Sequence, residues 1–431
     1  MSADRMLPKT PVIDEVIVSS PIAAKVPAWK RPFLVLEFSD FRHLWISSLP
    51  GMAAMQMGIT ARGYLAYDIS GSAVSVGVVS LGTALPMLGL GLFGGVAADR
   101  FRKRNVLLFT QSLQLISAAL NAVLVLSGIV EIWHLSVVAI MTGIGMAFNM
   151  PARQSYVAQL VPRERVVNAI ALHMAGMNFA RIVGPAIAGV LIALPFIGVG
   201  GTFVIIALLF FSVFLNLLRI KNPGEPMEQE RISPLRSIAD GLAYVRRSPV
   251  VVTLLTLAFI PMFLGNPYLQ LMPVIAKDVF DAGPVGLGIL LAASGVGALF
   301  GSLAIASMTG FASRGVLQMI LGMTFGGALA AFAFSPTYIV GLIAILVVGA
   351  SSAGYQSLNN SLVMQTADPA YRGRVMSLFH LTNGAAPLAL LPVGILTDAF
   401  GAPLIIGIGG LLLLALVFAV GMFHPAYKHI G

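Results

Sequence analysis

Cysteine is missing from all 431 residues, which excludes disulfides, thiolate metal sites and thiol catalysis. Charge is scarce as well. Asp, Glu, Lys and Arg make up 10% of the chain, where a soluble domain carries about 25%. No Asp or Glu stands in the middle of any long apolar run. A P-loop, a Gly-x-Ser-x-Gly turn and metal-ligand spacings are absent too, so the sequence reads as no enzyme and calls for no cofactor or metal.

What is there is apolar. Hydrophobic residues make up 58% of the chain, and a helix needs about 20 of them in a row to cross a bilayer. Windows of that kind occur at 44–67, 74–98, 105–128, 133–157, 167–194, 201–219, 250–276, 285–308, 315–335, 338–366, 375–398 and 403–423. The expectation is an all-α membrane protein with twelve transmembrane helices in two six-helix pseudo-repeats. Residues 1–40 lack the apolar core of a signal peptide and read as a cytoplasmic tail. Two bundles, 41–220 and 249–424, flank a linker at 221–248 whose "SIADGLAYVRRS" reads as an amphipathic surface helix. Residues 425–431 form a short C-terminal end.

Of the 26 Lys and Arg residues, all but Lys277, Arg62 and Arg181 fall on one side of this arrangement. By the positive-inside rule that side is cytoplasmic, with both termini on it. The net charge of +9 is thereby read as topology, with no nucleic-acid partner implied.

The halves look duplicated. The offset that carries Leu92–Gly94 onto Leu299–Gly301, both "LFG", also pairs Pro162 with Pro369, Arg165 with Arg372, His173 with His380 and Pro185 with Pro392. Repeats of this kind characterise transporters whose halves rock about a midplane site.

Two motifs carry more. Gly95-x-x-x-Asp99-Arg100-x-x-Lys103-Arg104 lies between the second and third windows. Asp99 at a helix end can pair with a base or cap backbone N–H groups, and Gly95 would let two helices approach. The cluster can serve as a conformational latch or as a topology signal alone. In the fifth window, Gly184-Pro185-x-x-x-Gly189 bends a helix and leaves it room for close packing.

The first motif resembles the loop signature of the major facilitator superfamily, with Arg102 where glycine is usual. The second resembles its antiporter motif. "FRHLWISSLPGM", "NMPARQSYVAQLVPRERVVNAIAL" and "YRGRVMSLFHLTNGAAPLALLPVGIL" are similar to the branch holding macrolide efflux and enterobactin export proteins. The resemblance spans about Phe41 to Phe423 and implies export from a bacterial cell across its inner membrane, driven by proton antiport. It further implies that spans 1, 4, 7 and 10 line a cavity. Gln56, Arg62, Asn149, Asn178, Arg181, Asn266, Tyr355, Gln356 and Asn359 are the candidate lining. Methionines such as Met52, Met55, Met146 and Met150 join them, which suits bulky amphipathic ligands.

Arg181 is the sharpest residue, because a mid-membrane charge costs about 2.5–3.5 kcal/mol on insertion scales. A backbone role around Pro185 is the alternative. His173 and His380 are the proton-carrying candidates, with Asp68 and Asp398 behind them. The expected partners are a small molecule, protons and the bilayer, and the chain is expected to act as a monomer. A uniporter or importer of the same fold, and a non-transporting receptor or scaffold, stay open on the sequence alone.

Overall fold

The computed structural model describes residues 28–226, 242–308, 313–368 and 371–423, apart from 373, 377 and 380–385. The expectations for the tail before residue 28, for His380 and for the C-terminal end lie outside the described residues. So does most of the linker. Of its amphipathic stretch, residues 242–247 are helical.

The described residues form helices and no strands. In the first half these are α1 (Ser39–Ser70), α2 (Ala73–Arg100), α3 (Lys103–Leu126), α4 (Ile132–Gln159), α5 (Val166–Ala193) and α6 (Gly198–Arg219). In the second they are α7 (Pro249–Val279), α8 (Gly283–Ser307), α9 (Arg314–Ala333), α10 (Tyr338–Thr366), α11 (Leu390–Phe400) and α12 (Ala402–Phe423). Ten of them are long and apolar enough to cross a membrane. The other two are α1, which carries Arg42, His43, Gln56 and Arg62 and is diluted by them, and α11, whose described part has 11 residues. The twelve expected windows are thus matched at ten places.

Packing rests on small residues, as it must where lipid is as apolar as the protein. In the pair α2–α4, Gly94 lies so close to the carbonyl of Ala147 that a β-carbon would overlap it, and Gly143 meets Thr83 in the same way. In the pair α8–α10, Gly301 meets the carbonyl of Ala350 and Gly349 that of Ser294. The two "LFG" copies therefore end on equivalent contacts. The close approach expected at Gly95 occurs at Gly94 instead; a β-carbon on Gly95 would meet nothing within 4 Å.

The two sets of helices touch along three lines. A β-carbon on Gly189 of α5 would overlap the Pro284 carbonyl of α8 and lie 3.0 Å from Gly288 Cα. Gly77 of α2 packs on the Leu390 carbonyl of α11, and Gly394 of α11 on the Ala73 carbonyl of α2. Gly63 of α1 faces Pro273 of α7. All three contacts run from mid-helix toward the end that carries Asp68.

α7 is broken twice. Pro261–Gly265 and Ile275–Val279 are π-turns, and Pro267 and Pro273 lie between them. Proline removes a backbone donor and clashes with the turn before it. Such turns recur at functional sites. Here they bracket Asn266, Tyr268 and Gln270.

Candidate functional site

A cavity of about 390 Å³ opens between α1, α5, α7, α8 and α10, with Gln56, Thr60, Arg181, Asn266, Gln270 and Gln356 among its walls. A second space of about 350 Å³ shares Arg181, Gly295 and Gln356 with it. That space continues toward the Arg100 end, past Asn178, Ser302 and Asn360. Together they make one recess, reaching from mid-membrane toward one face.

Arg181 stands in both spaces. Its side chain is exposed, and it forms no hydrogen bond or ion pair among the described residues. Pro185 cannot donate to the Arg181 carbonyl four residues back. That carbonyl is turned toward Gly295 of α8, and the guanidinium is not tied to it. None of the described residues lining the two spaces is Asp or Glu, so none of them offsets this charge.

The opposite end is closed by polar bonds between the two sets of helices. Lys277 and Asp68 form an ion pair at 2.8 Å, and Tyr67 donates to Asp278. Asp398, at the end of α11, accepts from the Ser72 hydroxyl and from the backbone N–H groups of Ala73, at 2.6 Å, and Val74, at 3.3 Å. A carboxylate from one half thus caps the first turn of a helix from the other half. Deeper in, Ser80 donates to Gln270 at 3.0 Å.

Five expected wall residues reach the recess: Gln56, Asn178, Arg181, Asn266 and Gln356. Four do not. Tyr355 is buried and donates to the Leu257 carbonyl at 2.7 Å. Asn359, one turn on, donates to the Leu254 carbonyl at 3.3 Å. Both hold α10 to α7 inside the second half. Asn149 lines a separate pocket of about 90 Å³ within the first half, where Met52, Met55, Met146, Met150 and Met177 gather. Arg62 is buried in the same half, near Thr142.

His173 is buried at the wall of that methionine pocket, with Arg153 as a neighbour lining residue. Arg153 was read as a topology charge. In the structure it points inward, donating to Ser48 at 2.5 Å and Asn149 at 3.1 Å, and Asn149 donates on to Thr110 at 2.7 Å. The sequence signal was present: Pro151 sits two residues earlier in α4, and α4 continues helically to Gln159. Tyr268 and Ser294, bonded at 3.0 Å in the cavity wall, were also missed. Tyr268 follows the first π-turn of α7, which the sequence alone does not reveal.

The basic cluster works as an anchor. Arg104 donates to the carbonyls of Leu217, at 3.2 Å, and Leu218, at 2.9 Å, and so closes the last turn of α6. Lys103 is fully buried and donates to the Glu225 carbonyl. Its backbone N–H and that of Arg104 bond to Gly224 and Pro223. Asp99 and Arg100 form no ion pair or hydrogen bond among the described residues.

Comparison with known proteins agrees with this geometry. Residues 31–427 match the family model described as transmembrane secretion effector. The chain is 29% identical to the multidrug efflux pump Tap of Mycolicibacterium fortuitum, over 82% of this chain and 88% of that one. It is 28% identical to the staphyloferrin A transporter of Staphylococcus aureus, over 77% and 82%. Among solved structures, a bacterial homologue of the human lysosomal transporter Spinster, inward-facing and unoccupied, superposes with a TM-score of 0.70 at 13% identity, covering 90% of this chain and 98% of that one.

Proposed function

The chain belongs to the transmembrane secretion effector family of the major facilitator superfamily, and on that premise we propose that it exports an amphipathic small molecule bearing an anionic or electron-rich group. It is an efflux transporter of the facilitator type and spans the membrane many times. The observation that carries the substrate class is Arg181, a cation exposed in the central recess and without an ion pair among the described residues. A charge held there at such cost is a substrate-facing group by default.

Alternating access supplies the mechanism. Twelve helices in two halves, 41–220 and 249–424, rock about the recess. The matching glycine contacts of α2–α4 and α8–α10 support the duplication. On this reading the Arg100 face is cytoplasmic, supported by the distribution of positive charge, and the state described is inward-facing, sealed outside by Asp68, Asp278 and Asp398 and open inside. The antiporter motif has two jobs. Gly184 packs on α1 near Gln56, and Gly189 packs on α8, where the halves must slide. A static receptor needs no such seam.

α2 and α11 run antiparallel at the sealed end, where Gly77 packs on Leu390 and Gly394 on Ala73. Asp398 caps the start of α2 in the inward-facing state. Asp99, at the other end of α2, is available to cap the cytoplasmic start of the eleventh span once that face closes. Each carboxylate then holds one state. Proton antiport drives the cycle, the chain works as a monomer in the bacterial inner membrane, and both termini are cytoplasmic.

Everted membrane vesicles test the reading. Under an imposed pH gradient the protein should accumulate anionic amphiphiles from a compound panel, and an Arg181→Ala variant should lose them selectively. Absence of accumulation for every panel member would overturn proton-driven export. Exchange that persists with the gradient collapsed and never rises above equilibrium would point to a uniporter.

A further inference from the structure

Arg62 is the second intramembrane arginine, and it has no part in the recess. It is 8% exposed, and it lines a small space enclosed by α1, α3, α4 and α6 together with Gln114, Ser117, Thr142 and Phe210. Arginine carries five N–H donors and keeps its proton in any protein setting. Among the described residues the guanidinium has one hydrogen-bond partner, the Thr142 hydroxyl at 3.4 Å, and that hydroxyl already donates to the Val138 carbonyl at 3.0 Å.

No acid can reach it. α1, α3, α4, α5 and α6 contain no Asp or Glu from residue 41 to 67, 103 to 126, 132 to 159, 166 to 193 or 198 to 219. α2 has none before Asp99, at the far face. A buried charge with no counter-charge is costly, and a group that cannot deprotonate must find an anion.

The neighbours point the same way. Ser117 Oγ is buried without a hydrogen-bond partner, and one turn along the same face of α3 both polar atoms of the Asn121 side chain are in that condition. Gln114 directs its amide at the Thr142 carbonyl at 3.4 Å. The unused capacity beside Arg62 is the rest of its guanidinium N–H donors and the Ser117 hydroxyl, which can donate or accept. Water could donate to the Ser117 oxygen, but it would leave the guanidinium charge without the counter-charge that an anion supplies. The space is about 10 Å³, on the scale of a single small particle.

We propose that one monatomic anion of the halide class occupies this space, held by the Arg62 guanidinium and the Ser117 hydroxyl. It neutralises the interior of the first bundle and ties α1 to α3 and α4. The same stretch of α1 presents Gln56 and Thr60 to the recess on its opposite side, so the anion fixes the rotation of the helix that carries part of the substrate wall. The site is separate from Arg181 and requires no particular substrate.

The test uses the purified full chain in detergent at constant ionic strength, with gluconate replaced stepwise by chloride or bromide. A ligand that binds the folded state raises apparent stability in proportion to its saturation. The expected result is a saturable rise in unfolding temperature with either halide, and a bromide anomalous peak beside the Arg62 guanidinium in crystals. Arg62→Gln should abolish the halide dependence. Ser117→Ala, a milder change, should raise the half-saturating bromide concentration roughly five-fold, the loss of one hydrogen bond. A flat response of the wild-type protein to halide overturns the proposal. So does density for water alone beside Arg62, or an undiminished response in Ser117→Ala together with an anomalous peak elsewhere. Because export of an anionic substrate is read separately in vesicles, failure of the halide site leaves the Arg181 reading standing.

Discussion

At the scale of single residues, three arginines share one helix bundle and differ in what surrounds them. Arg181 faces the recess with its donors unused. Arg153 is held by Ser48 and Asn149. Arg62 is buried beside Thr142. Hydrogen bonds to charged groups contribute about 1.5–3 kcal/mol, so Arg181→Ala should weaken binding of an anionic substrate about 10–100-fold. It should leave neutral panel compounds within about two-fold, and isothermal titration on the purified chain reads both. Equal losses for neutral and anionic ligands would make Arg181 a packing residue. The sequence made Arg181, Gln56 and Gln356 legible because each is a polar residue near the middle of an apolar window. It could not separate them from Arg62, Asn149, Tyr355 and Asn359, which satisfy the same criterion. In water the polar face of a helix marks its outside. In lipid both the outward face and the packed face are apolar, so rotation is set by neighbours that lie far off in the chain, such as Leu254 and Leu257 for Asn359 and Tyr355.

At the scale of elements, the seams between halves carry the conformational equilibrium. Gly189→Val would drive a side chain into the Pro284 carbonyl and toward Gly288. Overpacking costs about 1–3 kcal/mol, and here it falls only on the state in which α5 and α8 are closed. The inward-facing population should drop roughly ten-fold or more. Asp398→Ala should act in the same direction by removing the cap of α2, worth about 0.5–2 kcal/mol. The chain has no native cysteine, so a single Gln56→Cys reporter reacts without background. Its labelling by an impermeant thiol reagent added outside should quicken in both variants, and unchanged rates would show that neither contact seals the outer face. The Gly-Pro motif was readable in the sequence as a bent, close-packed turn. That its two glycines serve different helices was not, because the partner of Gly189 lies beyond the linker. The role of Asp398 was hidden for the same reason: a cap is recognised in sequence only when it precedes its own helix, and this one is supplied from the other half of the chain.

For the whole molecule, the question is where a proton can act in a membrane domain without interior carboxylates. The latch pair gives the first half of the answer. Asp99 forms no ion pair among the described residues, so on the proposed cycle Asp99→Asn should leave the observed state intact and destabilise its opposite. Transport should fall at least ten-fold while insertion stays normal, since orientation depends on Lys and Arg and hardly on acids. Its effect on Gln56→Cys labelling should be opposite in sign to that of Asp398→Ala, and the double variant should recover part of the balance. The second half concerns drive. Asp68, Asp278 and Asp398 bond across the outer seam only as acceptors. Loss of charge on these groups would weaken the Asp68–Lys277 attraction and the cap on α2, so a proton that enters at the outer seam and leaves to the cytoplasm is one route for the drive. His173 and His380 offer the competing route, with His173 walled into the methionine pocket beside Arg153, away from the recess. The variant His173→Gln, His380→Gln separates the two. If the outer carboxylates carry the coupling, this variant should still accumulate substrate in everted vesicles with the wild-type dependence on the imposed pH gradient. Asp398→Asn, which keeps an acceptor but cannot titrate, should retain exchange down a substrate gradient and lose accumulation against one. The reverse pattern, accumulation lost in the histidine variant and kept in Asp398→Asn, would place the proton path through the first bundle and leave the outer carboxylates as a mechanical seal.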